Sequence, residues 1–325
     1  MANSRQMIAL LKSHVRRDDQ EFLSIAMEMA ASEARQGHSQ VAEAVKNLID
    51  EARKRPALSS AKPLLVVPNR SELSSLLFTT EPDTRLADMV LPDALAARLE
   101  RILLEQRQQT RLREHGLRPR RKILLVGPPG SGKTMTAAAL AGELHLPLAT
   151  ILLEGIITKF MGETATKLKL VFDSMTSMEG VYFFDEFDAL GAKRTQSNDV
   201  GEIRRVLNTF LQLLEKDDSR GLIIAATNHP ELLDKALFRR FDDVLEYALP
   251  EGEVLKRILR ARLGRSADES IDWDAVLNES RGLSQADVSR AANDALKHVL
   301  LHDRPHVTTR DLLAALDERI ASSQK

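Results

Sequence analysis

The run Gly127-Pro128-Pro129-Gly130-Ser131-Gly132-Lys133-Thr134 holds the residue types that grip a polyphosphate. It fits the phosphate-binding pattern G-x-x-x-x-G-K-[ST]. The glycines let successive backbone N–H groups turn inward, and the positive end of a following helix adds to the pull on anionic oxygens. Lys133 offers a cation to the β- and γ-phosphates, and the Thr134 hydroxyl is a ligand for magnesium. A second place of chemical interest is the apolar run Val181-Tyr-Phe-Phe184, which ends in Asp185 and Glu186. Asp185 can hold magnesium through water, and Glu186 can orient and polarise an attacking water. Asn228 follows the run Leu222 to Ala226. Its amide could hold that water or the γ-phosphate, or it could cap a turn opening at Pro230, and the residues alone leave both open. Arg239 and Arg240 are adjacent, which helix amphipathicity does not explain. They are either a solvated pair or positive charge for a neighbouring subunit's γ-phosphate in the transition state.

These groups need a scaffold that brings them to one edge. Lys122 to Val126 reads as a buried strand before the glycine-rich run, and Met135 to Ala141 as a helix after it. Further apolar runs at Leu148 to Leu153, Val181 to Phe184, Leu222 to Ala226 and Val244 to Ala248 alternate with helical spacers. That alternation predicts an α/β fold whose parallel sheet is covered on both faces, with ligands at the carboxyl ends of the strands. After Pro250 the strand pattern stops. Residues 251–325 read as an all-helical second part, with Ser284/Asp287 and Thr308/Asp311 as capping pairs that open two of its helices. Residues 1–55 carry helical stripes such as Met7, Ile8, Leu11 and Val15. Residues 56–89, interrupted by Pro56, Pro63, Pro68 and Pro82, read as a linker.

Composition narrows the classes. The chain has 325 residues, a formal net charge of −1 and 43% hydrophobic residues, enough for a substantial core. No apolar run approaches the ~20 residues of a membrane-spanning helix, and the first residues hold no signal-peptide core. The expected location is cytoplasmic, with no membrane partner. The absence of cysteine excludes disulfides and thiolate metal sites. Near-neutral charge gives no pull toward nucleic acid, and the basic stretch Arg118 to Lys122, lacking interleaved aromatics, reads as a solvated turn. His298 and His302 have helical metal spacing but no evident third ligand, and read as solvated.

The order of these motifs resembles the AAA family of ATPases over roughly residues 90–320. Gly127 to Thr134 is similar to Walker A, Val181 to Glu186 to Walker B, Asn228 to sensor 1, and Arg239 with Arg240 to the paired arginine fingers. Gly282 to Asp287 resembles the sensor 2 region, with Ala286 at the nucleotide. Gln285 stands where glycine is usual, and the sensor 2 arginine of many relatives is lacking. The resemblance implies a P-loop NTPase fold with a five-stranded parallel sheet of order 5-1-4-3-2, a large subdomain over residues 90–250, a helical lid over 251–325, ATP and magnesium, and a homo-oligomeric ring, usually a hexamer.

Lys159-Phe160-Met161, before Gly162-Glu163, resembles the pore loop with which such rings grip a polypeptide substrate. Phe160 and Met161 as core residues is the competing reading. The whole chain is also similar to small bacterial AAA proteins encoded beside a subtilisin-like serine protease. That implies a two-component system in phage defence or plasmid maintenance, with the N-terminal helices recruiting substrate or partner. An ATP-gated switch that threads nothing, and a DNA-directed ATPase, remain as alternatives.

Overall fold

The computed structural model describes residues 75–156, 161–190, 199–233 and 235–323, together with Leu73 and a few positions between 25 and 30. The helical stripes expected over residues 1–55 therefore lie almost wholly outside the described residues. The chain divides after Val66, and every element below belongs to the second unit, Val67–Lys325.

Six strands form one sheet: β1 (Leu77–Thr80), β2 (Lys122–Val126), β3 (Leu148–Ile151), β4 (Val181–Phe184), β5 (Leu222–Thr227) and β6 (Asp243–Glu246). Their order is β1-β3-β4-β5-β2-β6. The parallel strands β6-β2-β5-β4-β3 reproduce the expected order 5-1-4-3-2. The expectation of five parallel strands needs one correction. β1 adds a sixth at the edge, antiparallel to β3, with Leu77 opposite Ile151 and Thr80 opposite Leu148. It lies inside the stretch read as a linker. Four residues between polar and proline-containing segments give little periodicity, and Phe78 on it is 62% exposed, so the pattern of a half-buried strand is blurred.

The central strands are buried on both faces, which is why they read as unbroken apolar runs. Alternate side chains serve opposite layers. Ile123, Leu125, Phe183 and Ile224 face a core shared with helix α1 (Asp93–Arg107) and the alanine-rich helix α2 (Lys133–Leu144). On the other face, helices α3 (Met161–Ser177) and α4 (Asp199–Lys216) pack together, and their Phe172 and Phe210 meet Phe184 of β4. The Phe184 and Phe210 rings are edge-on with centroids 5.1 Å apart, a favoured aromatic geometry.

Arg121, one residue before β2, is the second correction. The stretch Arg118 to Lys122 is not simply a solvated turn. The Arg121 guanidinium is buried, pairs with Asp217 just past α4, and donates to Ser219 Oγ at 3.3 Å. Arg120 N donates to Glu105 of α1 at 2.9 Å. A basic run in sequence says nothing of acids about 100 residues away, and here they meet it at the sheet's lower edge.

The C-terminal part is helical: α5 (Gly252–Leu263), α6 (Trp273–Glu279), α7 (Gln285–Leu301) and α8 (Thr309–Ser323), around a core that includes Leu259, Val276, Ala291 and Leu312. Both expected capping pairs form. Ser284 Oγ accepts from Asp287 N at 3.2 Å, and Asp311 accepts from Thr308 N at 2.9 Å and its hydroxyl at 2.7 Å. Arg304 also donates to Asp311. Burial opposes ionisation of Asp311, but these donors outweigh it and hold the carboxyl at about 2. His302 Nδ1 lies 2.7 Å from the His298 carbonyl, and His298 Nδ1 lies 3.0 Å from the Arg304 guanidinium. The Asp311 carboxylate lies 3.7 Å from His298 Nδ1 but is held by Arg304, and among the described residues no group of three such side chains is placed to hold a metal ion. Among the same residues no helix is long and apolar enough to cross a membrane.

Candidate nucleotide site

The loop Gly127 to Gly132 connects the end of β2 to the start of α2, with Gly132 as the helix N-cap. Two glycines are required by what surrounds them. A β-carbon on Gly127 would lie 2.3 Å from the Tyr247 carbonyl oxygen, and one on Gly130, at φ +73°, would lie 2.5 Å from Ser284 Oγ. The loop is thus wedged between β6 and the lid. Pro129 and Thr134 are exposed, while Ser131 is buried.

Lys133 is buried and folded back over this loop. Its ammonium donates to the carbonyls of Gly127 at 2.7 Å and Pro128 at 2.8 Å, and to Asn228 Oδ1 at 2.7 Å. Burial lowers its pKa, opposed in part by Asp185 and Asp188. Asn228 therefore faces the phosphate loop, and His229 rather than Asn228 precedes the short turn at Pro230. The cap position of that turn is thus taken by His229, while the Asn228 amide oxygen is bonded to Lys133.

Thr134 Oγ1 donates to Asp185 Oδ2 at 3.1 Å. A hydroxyl and a carboxylate facing each other are hard oxygen ligands, and this donor set fits magnesium with waters completing its shell. Thr134 directly and Asp185 through water would hold the ion, which when bound neutralises charge on the β- and γ-phosphates. Glu186 is exposed beside them, at a positive φ of 50°. Its N–H donates to Asp185 Oδ1 at 2.9 Å, which helps hold that backbone. Ala286 touches the loop through its backbone, N–H to Gly130 O at 3.0 Å.

Arg239 and Arg240 stand apart. Arg239 is exposed and Arg240 pairs with Glu215 in the last turn of α4. Among the described residues neither bonds to the phosphate loop of its own chain. Lys159 and Phe160 lie outside the described residues. Met161 opens α3, with no description of its side chain.

Two features escaped the motif reading. Asp188, two residues beyond Glu186, accepts from Thr227 Oγ1 at 3.0 Å and Asn228 N at 3.3 Å, and so fixes the tip of β5 that carries Asn228. Its place in the acidic run Asp185-Glu-Phe-Asp188 was the available signal. The other is a cleft of about 540 Å³ beside Ser131, walled by Leu91, Leu95, Tyr247, Leu249 and Pro250. Apolar walls drawn from distant segments leave no spacing in sequence. Tyr247 stiffens it: burial pushes its hydroxyl up to about 12 although the 2.6 Å bond with Thr136 Oγ1 acts the other way.

A phosphate loop after a central strand, facing acids and an amide at the same sheet edge, defines a P-loop nucleoside triphosphatase with a helical lid. Comparison narrows the class. A family model described as "ATPase family associated with various cellular activities (AAA)" matches residues 123–249. An uncharacterized AAA family ATPase of Sinorhizobium fredii, y4kL, is 33% identical over 322 residues, covering 98% of this chain and 96% of that protein. The proteasome-activating nucleotidase of Pyrococcus horikoshii is 37% identical over 220 residues, 65% of this chain but only 55% of that protein. The crystal structure of the FIGL-1 AAA domain superposes with a TM-score of 0.61, covering 81% of this chain and 96% of that one, and at 23% identity it bears on the fold alone. The chain belongs to the AAA family of ATPases, and its reaction is ATP hydrolysis.

Proposed function

We propose that the chain assembles as a homo-oligomeric ring, a hexamer, that uses ATP to remodel or unfold polypeptide. ATP binds at Gly127 to Thr134, Glu186 polarises the attacking water, and Asn228 holds the water or the γ-phosphate. Arg239 and Arg240 reach the γ-phosphate of the next subunit. The observation that carries this reading is the division of charge. Lys133, Asp185, Glu186 and Asn228 gather at one sheet edge, whereas Arg240 is paired with Glu215 and Arg239 is exposed, neither bonded to the phosphate loop among the described residues. A hydrolysis site with one lysine as its local cation is completed by a neighbour's guanidinium. The Arg240–Glu215 pair is half exposed. Such pairs contribute about 0–1 kcal/mol, so a γ-phosphate can displace it.

Likeness to proteasome-activating nucleotidases supports polypeptide as the substrate and a protease as a partner. In this reading Lys159, Phe160 and Met161 line the channel and grip the substrate. Residues 1–55 recruit the substrate or a subtilisin-like protease, within a bacterial defence or plasmid-maintenance system in the cytoplasm. Electron microscopy of Glu186→Gln with ATP and an unfolded polypeptide tests the proposal. A closed ring with extended polypeptide in its channel is expected. A particle that stays monomeric with ATP bound, or a ring that excludes the polypeptide, would refute it.

A further inference from the structure

The lid enters the nucleotide site through the first turn of α7. Ser284 Oγ abuts Gly130, and Ala286 N bonds to Gly130 O. Between these contacts the half-buried side chain of Gln285 runs into the cleft beside the phosphate loop. Its Oε1 lies 3.4 Å from where a β-carbon on Gly132 would sit. Its Nε2 donates to Val90 O at 3.5 Å, the outer limit of a hydrogen bond. Among the described residues Oε1 accepts no hydrogen bond. Arg98, also at the cleft, is already engaged by Asp243 and by Val244 O.

A nucleotide with its phosphates on Gly127 to Thr134 must place its base and sugar in the adjoining space. The apolar walls suit the base, which leaves the sugar between base and phosphates, beside Gly132. That is where the free carboxamide oxygen stands. A ribose hydroxyl donates, an amide oxygen accepts, and a deoxyribose has nothing to offer at the missing position.

We propose that Gln285 is a specificity-determining residue whose Oε1 accepts a hydrogen bond from a ribose hydroxyl of the bound nucleotide. The proposal rests on the reading of Gly127 to Thr134 as the phosphate site. Gln285 then ties the lid to the sugar while the backbone of Ala286 ties it to the phosphate loop, and the enzyme distinguishes ribonucleotides from deoxyribonucleotides through a lid residue.

Titration calorimetry of the full chain with magnesium and ADP, 2′-deoxy-ADP or 3′-deoxy-ADP tests this without turnover. The wild type is expected to bind ADP about threefold to tenfold more tightly than one of the two deoxy analogues, the factor for one neutral hydrogen bond. Gln285→Met keeps the length of the side chain and removes the acceptor. It should weaken ADP by that factor and leave the affected analogue unchanged, so the preference collapses. A wild type without preference, or a Met variant that keeps it, overturns the proposal. Equal weakening of all three ligands does so too, since that marks a structural role. If no adenine nucleotide binds the wild type, or Lys133→Ala binds ADP as the wild type does, the phosphate-site reading falls and the proposal with it.

Discussion

Replacing Asp217 by alanine removes the acid that neutralises Arg121. The two side chains are 2% and 8% exposed, so the remaining guanidinium would stay buried without its counter-ion. Its other bonded partners, Ser219 Oγ and the backbone carbonyl of Asp217, are neutral and cannot replace the counter-ion. Breaking a buried pair in this way costs about 3–5 kcal/mol, far more than an exposed pair. For a folded unit of this size each kcal/mol moves the melting temperature by about 2–4 °C, so a fall on the order of 10 °C is expected. Arg121→Met combined with Asp217→Asn removes both charges and keeps an acceptor for Ser219. It should recover most of the loss. Chemical denaturation of the wild type, Arg121→Met, Asp217→Asn and the double variant gives the coupling energy directly. Nucleotide affinity measured well below the transition should be preserved, because Arg121 precedes β2 and Gly127 follows it, about 20 Å away at a strand's rise per residue. A loss under about 1 kcal/mol for Asp217→Ala, or a double variant no better than the single ones, would refute the buried-pair account.

Other expectations follow from the same geometry. Arg240→Ala should bind ATP yet lose hydrolysis by up to about 10³-fold, and mixing it with Lys133→Ala subunits should restore part of the activity. Full activity of either variant alone counts against a shared site. Phe160→Ala should spare basal ATPase rate and melting temperature while abolishing processing of a tagged substrate, whereas a core phenylalanine would cost about 3–5 kcal/mol and depress every activity. Asp311 is held below its ordinary value of 3.8, at about 2, so its contribution is complete above about pH 4 and disappears as pH falls through its folded value. Asp311→Asn should therefore cost about 1–2 kcal/mol at neutral pH, after allowance for solvent screening, and flatten the acid limb of a stability profile between pH 4 and 2.

The elements that carry chemistry were legible because each has a local signature. Lys122 to Thr134 shows strand, glycine turn and helix in succession, and the apolar run before Asp185 announces a central strand. What escaped depends on meetings across the chain. Arg121 looked solvated because its acid is Asp217, and Asp188 looked like one more acid until β5 placed Thr227 and Asn228 against it. β1 was hidden by its own shortness, since an edge strand of four residues with Phe78 turned outward has neither length nor alternation to reveal it. The cleft beside Ser131 was invisible for a different reason, because leucines and prolines recruited for their shape have no characteristic spacing.

Glu186 has a consequence of another kind. A glutamate with φ of 50° sits in a left-handed conformation that disfavours any side chain with a β-carbon, by roughly 1–2 kcal/mol. The fold carries that cost at the residue proposed to activate water, and on that proposal stability and turnover pull on this position in opposite directions. Glycine there should relieve the strain and raise the melting temperature by a few degrees while abolishing hydrolysis, and a glycine variant less stable than the wild type would show that the conformation is not strained. Selection for heat resistance alone would be expected to erode this position, and on the proposed mechanism the requirement for hydrolysis is what would hold the glutamate in place.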